Sequence, residues 1–273
     1  MAPRKGNMMT VRADVKVVDA TIRDGGLCNN FEFTDEFVTE LYKTNVKSGV
    51  DYMEFGYRAS KNLFDVNKFG KWKFCDEADI RSIVGDNVSD MKIAVMADVG
   101  RCDFKEDFVP KSESVIDMVR VACYIHQIPA ALEMIEYFHN LGYETTCNIM
   151  AISQASSEQI EEALAMIGQS SVDVIYLVDS YGSLTLKRRA HLQKNILKSA
   201  KNTARQSAFM RTTIKILLLQ TRLKLFLTVF LILMPRRQAW EGERATAQWS
   251  FCSDSLKIRN IIFTVCLPSL KIT

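Results

Sequence analysis

Short apolar runs alternate with longer amphipathic stretches over the first two thirds of the chain. Val17 and Val18 lead into Asp19, and Thr34 to Ser48 then carries a capping Thr34, acids in its first turn and apolar residues at Phe37, Val38, Leu41, Tyr42 and Val46 before Gly49. That spacing predicts a strand followed by an amphipathic helix. The alternation repeats: a strand over Asp51 to Gly56, a helix over Asp76 to Gly85, and strands over Lys92 to Asp98 and Ser114 to Ala122. A helix over Pro129 to Leu141, opened by Pro and closed by Gly142, precedes a strand over Tyr143 to Ala151. A helix over Ser156 to Gly168 and a strand over Val172 to Val178 complete six βα steps. Helical connections demand parallel strands with right-handed crossovers, and strands as apolar as VIYLV are covered on both faces. The expected fold class is α/β, a barrel of βα units.

In such a barrel the chemistry gathers where strands end in their following loops. The polar residues fall there repeatedly: Arg23 and Asp24, Glu54, Asp98 with Arg101, Arg120, Asn148, and Asp179 with Ser180. The first cluster is the densest. Asp19, Thr21, Arg23 and Asp24 crowd a strand end, and Gly25 and Gly26 predict a sharp turn directly after it. Buried carboxylates beside a guanidinium must pair or hold a ligand, and a divalent metal is a fitting partner for Asp24. Salt-bridged strand ends are the competing reading, as is a structural Arg120–Asp179 pair across the barrel mouth. Tyr57 to Lys73 reads as a polar loop with aromatics, either a lid or packing over the rim, and His126 and His139 read as surface or packing histidines.

Composition narrows the class. Hydrophobic residues are 48% and charged residues 25% of 273, the balance of a soluble globular protein, and a net charge of +3 argues against nucleic acid as the main partner. Seven cysteines without a C-x-x-C pair suit core packing in a reducing cytoplasm better than disulfides or a zinc knuckle. Residues 1–14 read as a disordered leader. Leu225 to Met234 is a ten-residue block, apolar except for Thr228, about 15 Å as a helix, too short to span a hydrocarbon core of about 30 Å.

The run D-A-T-I-R-D-G-G, Asp19 to Gly26, resembles the D-x-T-x-R-D-G signature of the metal-dependent aldolase, lyase and acyltransferase superfamily. That superfamily, the hydroxymethylglutaryl-CoA lyase-like or pyruvate carboxyltransferase domain group, includes isopropylmalate and homocitrate synthases and 4-hydroxy-2-oxovalerate aldolase. The paired glycines and N-N-F-E-F look closest to the aldolase side. The resemblance implies an aldolase-type (β/α)8 TIM barrel, a homo-oligomer, and a small 2-keto acid or acyl substrate rather than nucleic acid or membrane. It implies carbon–carbon bond chemistry through an enolate, with Asp24 as a divalent-metal ligand (Mg or Mn, or with a His pair Zn or Co) and Arg23 stabilising the enolate oxygen. Glu54 and Asp179 are the further catalytic candidates, and Arg120 and Asn148 the substrate-binding ones.

The resemblance covers about residues 15–185. The family's H-x-H on the seventh strand and G-x-G-x-G-N turn on the eighth are missing; His191 stands alone, and after Gly182 the next glycine is Gly242. Beyond Lys187 the acids dwindle to Glu241, Glu243 and Asp254. A one-nucleotide frame shift near Thr185 accounts for all of this. Codons chosen for Phe209 to Arg222 spell H-A-H-N-N-Q in the neighbouring frame, and those for Met234 to Trp249 spell A-S-G-M-G-R-G-A-G-N in that same frame. Residues 186–273 are thus expected to be an irregular non-family tail, with metal binding impaired. Three functions follow: an active aldolase or lyase, an inactive remnant of one, or a binding role for the basic stretch from Lys187 to Arg211.

Overall fold

The computed structural model describes residues 16–181, Ser183, Arg188, His191 and Leu192, and the strands 206–211 and 230–234 by their backbone. The six expected βα units are present. Strand β1 (Lys16–Asp19) leads to helices α1 (Thr21–Asn29) and α2 (Asp35–Ser48), and β2 (Tyr52–Tyr57) to α3 (Glu77–Val84). Next come β3 (Lys92–Asp98), the short α4 (Phe104–Asp107), β4 (Met118–Tyr124), α5 (Ile128–Asn140), β5 (Glu144–Met150), α6 (Ser157–Gly168) and β6 (Val174–Asp179). Strands β1 to β6 pair in parallel in sequence order.

Two departures matter. The chain does not turn sharply at Gly25 and Gly26: both lie inside α1, which begins two residues after β1 ends and runs to Asn30, a left-handed C-cap. A Cβ at Gly26 would collide with the Phe31 ring, so the glycine serves close packing of the next segment onto the helix. The fourth strand sits at Met118–Tyr124 rather than Ser114 to Ala122. Ser114 and Asp117 are lead-in groups, the one donating to Glu77 and the other accepting from the Ile93 amide.

The tail contributes strands as well. β7 (Gln206–Arg211) runs parallel to β6, and β8 (Phe230–Met234), part of the apolar block, pairs antiparallel with both β7 and β1, closing the barrel. Open edges at the first and sixth strands, expected from six units alone, are therefore absent. The frame-shift point at Thr185 and the leader lie outside the described residues.

Alternation along the strands separates two cores. Val18, Tyr52, Ala94, Met118, Val174, Tyr176 and Val178 fill the barrel interior. Val17, Met53, Ile93, Val119, Val121, Ile175 and Leu177 form the layer beneath the helices, together with Val38, Ile80, Ile135, Phe138 and Leu164. Among the described residues no helix is long and apolar enough to cross a membrane.

Candidate active site

The strand period places Glu54, Arg120 and Asn148 on the interior side, at β2, β4 and β5, while Arg23 and Asp24 reach in from the first turn of α1. Glu54 is fully buried and joins them. Its Oε2 accepts from Arg23 Nε at 2.9 Å and lies 2.6 Å from Arg120 Nη1. Arg23 Nη1 also donates to Asp24 Oδ1. The Arg120 guanidinium lies 4.8 Å from the centre of the Tyr176 ring, a stacking that suits a weakly hydrated planar cation. Thr146 Oγ1 donates to Asn148 Oδ1 at 3.1 Å.

Electrostatics divides the carboxylates. Burial alone would raise the Glu54 pKa, but the Arg120 and Arg23 guanidiniums hold it below the usual range. Burial raises that of Asp24, and Arg23 only partly offsets it. Arg23 stays firmly charged: burial opposes its charge, but Asp24 and Glu54 more than offset that. What remains unmatched is informative. Among the described residues Arg23 Nη2, Asp24 Oδ2, Glu54 Oε1, Arg120 Nε and Asn148 Nδ2 are buried with no hydrogen-bond partner. Stranded buried polar atoms are costly, and several in one barrel mouth mark a ligand's place.

Asp179 and Asp19 do not enter this cluster. On the alternation of β6, Asp179 follows Ile175 and Leu177 to the helix side, and it accepts from the Ser183 amide. It therefore does not face Arg120 as a structural pair. Asp19 accepts from Thr21 Oγ1 and from Asn45 of α2 at 2.7 Å, and so ties β1 to its two helices. Tyr57 and Tyr176, which sequence reasoning passed over, border the cluster; for Tyr176 the available signal was its place on β6 two residues from Val174 and from Val178, on the interior face. Burial pushes the Tyr57 hydroxyl up to about 12.

The metal expectation meets a short donor set. Asp24 Oδ2 and Glu54 Oε1 are the free carboxylate oxygens, Glu54 Oε2 is committed to two guanidiniums, and no group of three His, Cys, Asp or Glu side chains able to hold a metal exists among the described residues. These residues alone do not make a metal centre.

Comparison with known proteins gives the class. No family model matches the chain. It is 24% identical over 178 residues to 4-hydroxy-2-oxovalerate aldolase 6 of Rhodococcus jostii, covering 64% of this chain and 49% of that protein. It is also 24% identical over 180 residues to the 4-hydroxy-2-oxovalerate aldolase of Geobacillus thermodenitrificans, covering 64% and 51%. The chain thus spans about half the length of these curated relatives. In fold it matches the HMG-CoA lyase of Bacillus subtilis with a TM-score of 0.57 at 13% identity, over 75% of this chain and 70% of that one. The N-terminal domain of a candidate aldolase from Bacteroides vulgatus matches with a TM-score of 0.51 at 20% identity, over 72% of each chain. The resemblance to the HMG-CoA lyase-like superfamily holds in sequence and in fold. The particular members it is similar to in sequence are the 4-hydroxy-2-oxovalerate aldolases.

Proposed function

We propose that the chain carries the enolate-handling half of an aldolase or lyase site acting on a small 2-keto acid. The observation that carries this reading is the set of unpartnered donors on Arg23, Arg120 and Asn148 in one cluster with unpartnered oxygens of Asp24 and Glu54. Cleaving a carbon–carbon bond next to a carbonyl sends the bonding pair onto the carbonyl oxygen. Arg23 Nη2 and Arg120 Nε are fixed donors for that oxyanion, held by Glu54 so that they need not reorganise as charge develops. Asp24, with its pKa raised by burial, is the base for the hydroxyl proton of the leaving fragment. Glu54 is a positioning residue, since its accepting oxygen is spent on two guanidiniums. Asn148 Nδ2 serves the substrate's polar end. A divalent metal would have to take Asp24 Oδ2, the oxygen this reading uses as the base, and with no further donor set among the described residues it has no part in these steps.

A second reading, that the chain is an inactive remnant, is favoured by the short donor set. It goes with the frame shift: histidines two residues apart at the end of β7 would share one strand face. The remaining tail, residues 186–273, then has no family role, nor does the basic stretch bind nucleic acid. A reducing cytoplasmic setting suits Cys123 and Cys147, whose sulfurs lie 3.9 Å apart as free thiols.

The test is release of pyruvate from 4-hydroxy-2-oxo acids with Mg or Mn, read by coupled NADH oxidation. The enzyme reading expects a rate above buffer that is abolished in Arg23→Met. A folded chain no faster than buffer supports the remnant.

A further inference from the structure

Beside the Arg23–Glu54 cluster lies a second group of side chains that this reading does not use. Lys73, on the single 3-10 turn Lys71–Lys73, is 8% exposed, and its ammonium stands among four rings. The Nζ is 4.4 Å from the centre of Phe64, 4.5 Å from Tyr57, 5.1 Å from Phe31 and 5.7 Å from Phe69. Such rings stabilise a cation but do not neutralise it. Arg23 and Arg120 each touch a carboxylate. Among the described residues the Lys73 ammonium makes no hydrogen bond or direct ion pair, and neither does the side chain of Arg101. Both line one narrow crevice with Tyr57, Phe64 and Asp98. Asp98 Oδ1 is buried there with no partner.

We propose that Lys73, Arg101 and Asp98 form an oxyanion-binding subsite at the barrel mouth that takes the carboxylate of a small organic acid. Two cations held at one crevice without a touching counter-ion repel each other, and an anion between them relieves that cost. Burial raises the Asp98 pKa, with Lys73 and Arg101 opposing, so in its acid form the carboxyl can donate to an anion oxygen. Burial lowers the Lys73 pKa and Asp98 counters it, and a bound anion would act on the ammonium in the same direction as Asp98. Tyr57 is the shared wall: its hydroxyl feels the charges of Arg23, Glu54 and Asp24 on one side and of Asp98 on the other. The crevice is too narrow for a water molecule as it stands, so entry moves Phe64. Phe64 belongs to the loop after β2, where residues 61–63 and 65–68 are exposed except for Phe64's own partly covered ring. Gly70 and Gly56 pin the far end of that loop, because a Cβ at either would meet the backbone of Phe31 or Trp72.

This inference rests on the aldolase reading only for the identity of the acid. Its test uses the full chain in EDTA, where metal chemistry is silent, and follows pyruvate and, separately, inorganic phosphate by ligand-observed NMR titration. Lys73→Met and Arg101→Met are each expected to weaken pyruvate binding about tenfold, while Lys73→Arg stays within about threefold of the parent, with melting curves confirming folding. Pyruvate binding that is absent, or unchanged in both Met variants, overturns the subsite even if aldol activity is found. Lys73-dependent binding of phosphate in place of pyruvate overturns the carboxylate assignment. Lys73-dependent pyruvate binding without any aldol activity upholds the subsite while the enzyme reading fails.

Discussion

Glu54 is the residue on which the site's geometry depends, because one carboxylate oxygen orders two guanidiniums inside the barrel. Glu54→Gln keeps the shape and removes the charge, leaving Arg23 with Asp24 alone and Arg120 with no touching carboxylate. Removing one partner of a buried pair costs about 3–5 kcal/mol, so the variant is expected to melt well below the parent. Because the folded pKa of Glu54 is lowered, its contribution is present above the unfolded value of about 4.3 and is lost as pH falls through the folded value. The melting deficit of Glu54→Gln therefore shrinks in acid, a trend checked by scanning calorimetry from pH 7 to pH 3. Asp98 has the opposite sign. Its folded pKa is raised, so it favours folding only below the unfolded value of about 3.9, and that contribution is lost as pH rises through the folded value. Asp98→Asn is expected to raise the melting temperature at pH 8 and to change it little at pH 3.5. Most of these residues were legible from strand ends alone. Asp179 was not, because the same end position points inward or outward depending on strand parity, and the alternation from Ile175 decides it only once the helix layer is seen.

Among the elements, the segment from β2 to α3 shows what local pattern leaves out. It reads as a polar loop, yet Trp72 is fully buried beside Phe55, and the Trp72 carbonyl sits where a Cβ at Gly56 would be. Gly56 therefore fixes how closely the loop's end docks on β2. Gly56→Ala forces backbone against backbone, which costs about 1–3 kcal/mol as overpacking. Limited trypsin digestion should then cut at exposed Lys61 and Lys68 faster than in the parent, while cleavage elsewhere is unchanged. α1 makes the same point. Two adjacent glycines signal a turn in isolation, and the reason they sit in a helix, the Phe31 ring against Gly26, lies five residues on. By contrast α2 and α6 announce themselves, since Thr34 and Ser156 cap them through the amides of Phe37 and Gln159.

For the whole molecule, the ring's closure and the missing metal donors bear on one question. Six parallel units follow the aldolase pattern, and β7 continues it in register, with Leu177 opposite Phe209 and Asp179 opposite Arg211. β8 then breaks it by running antiparallel between β7 and β1. A barrel whose eighth strand is reversed presents its following loop at the opposite end from the other seven, away from where Arg23, Asp24 and Arg120 lie. The codons that can spell His-Ala-His in the neighbouring frame begin at Phe209, at the end of β7 nearest that cluster. Restoring the frame after Thr185 would therefore bring two imidazoles to the mouth that holds Asp24, and a metal that binds the folded state alone raises its melting temperature by mass action. The expected outcome is a contrast between two proteins made from the same gene. EDTA leaves the melting temperature of the chain as given unchanged, whereas the frame-restored chain loses several degrees in EDTA and regains them with excess Mn. Equal insensitivity in both would remove the frame shift as the explanation for the absent donor set and leave the remnant reading to stand by itself.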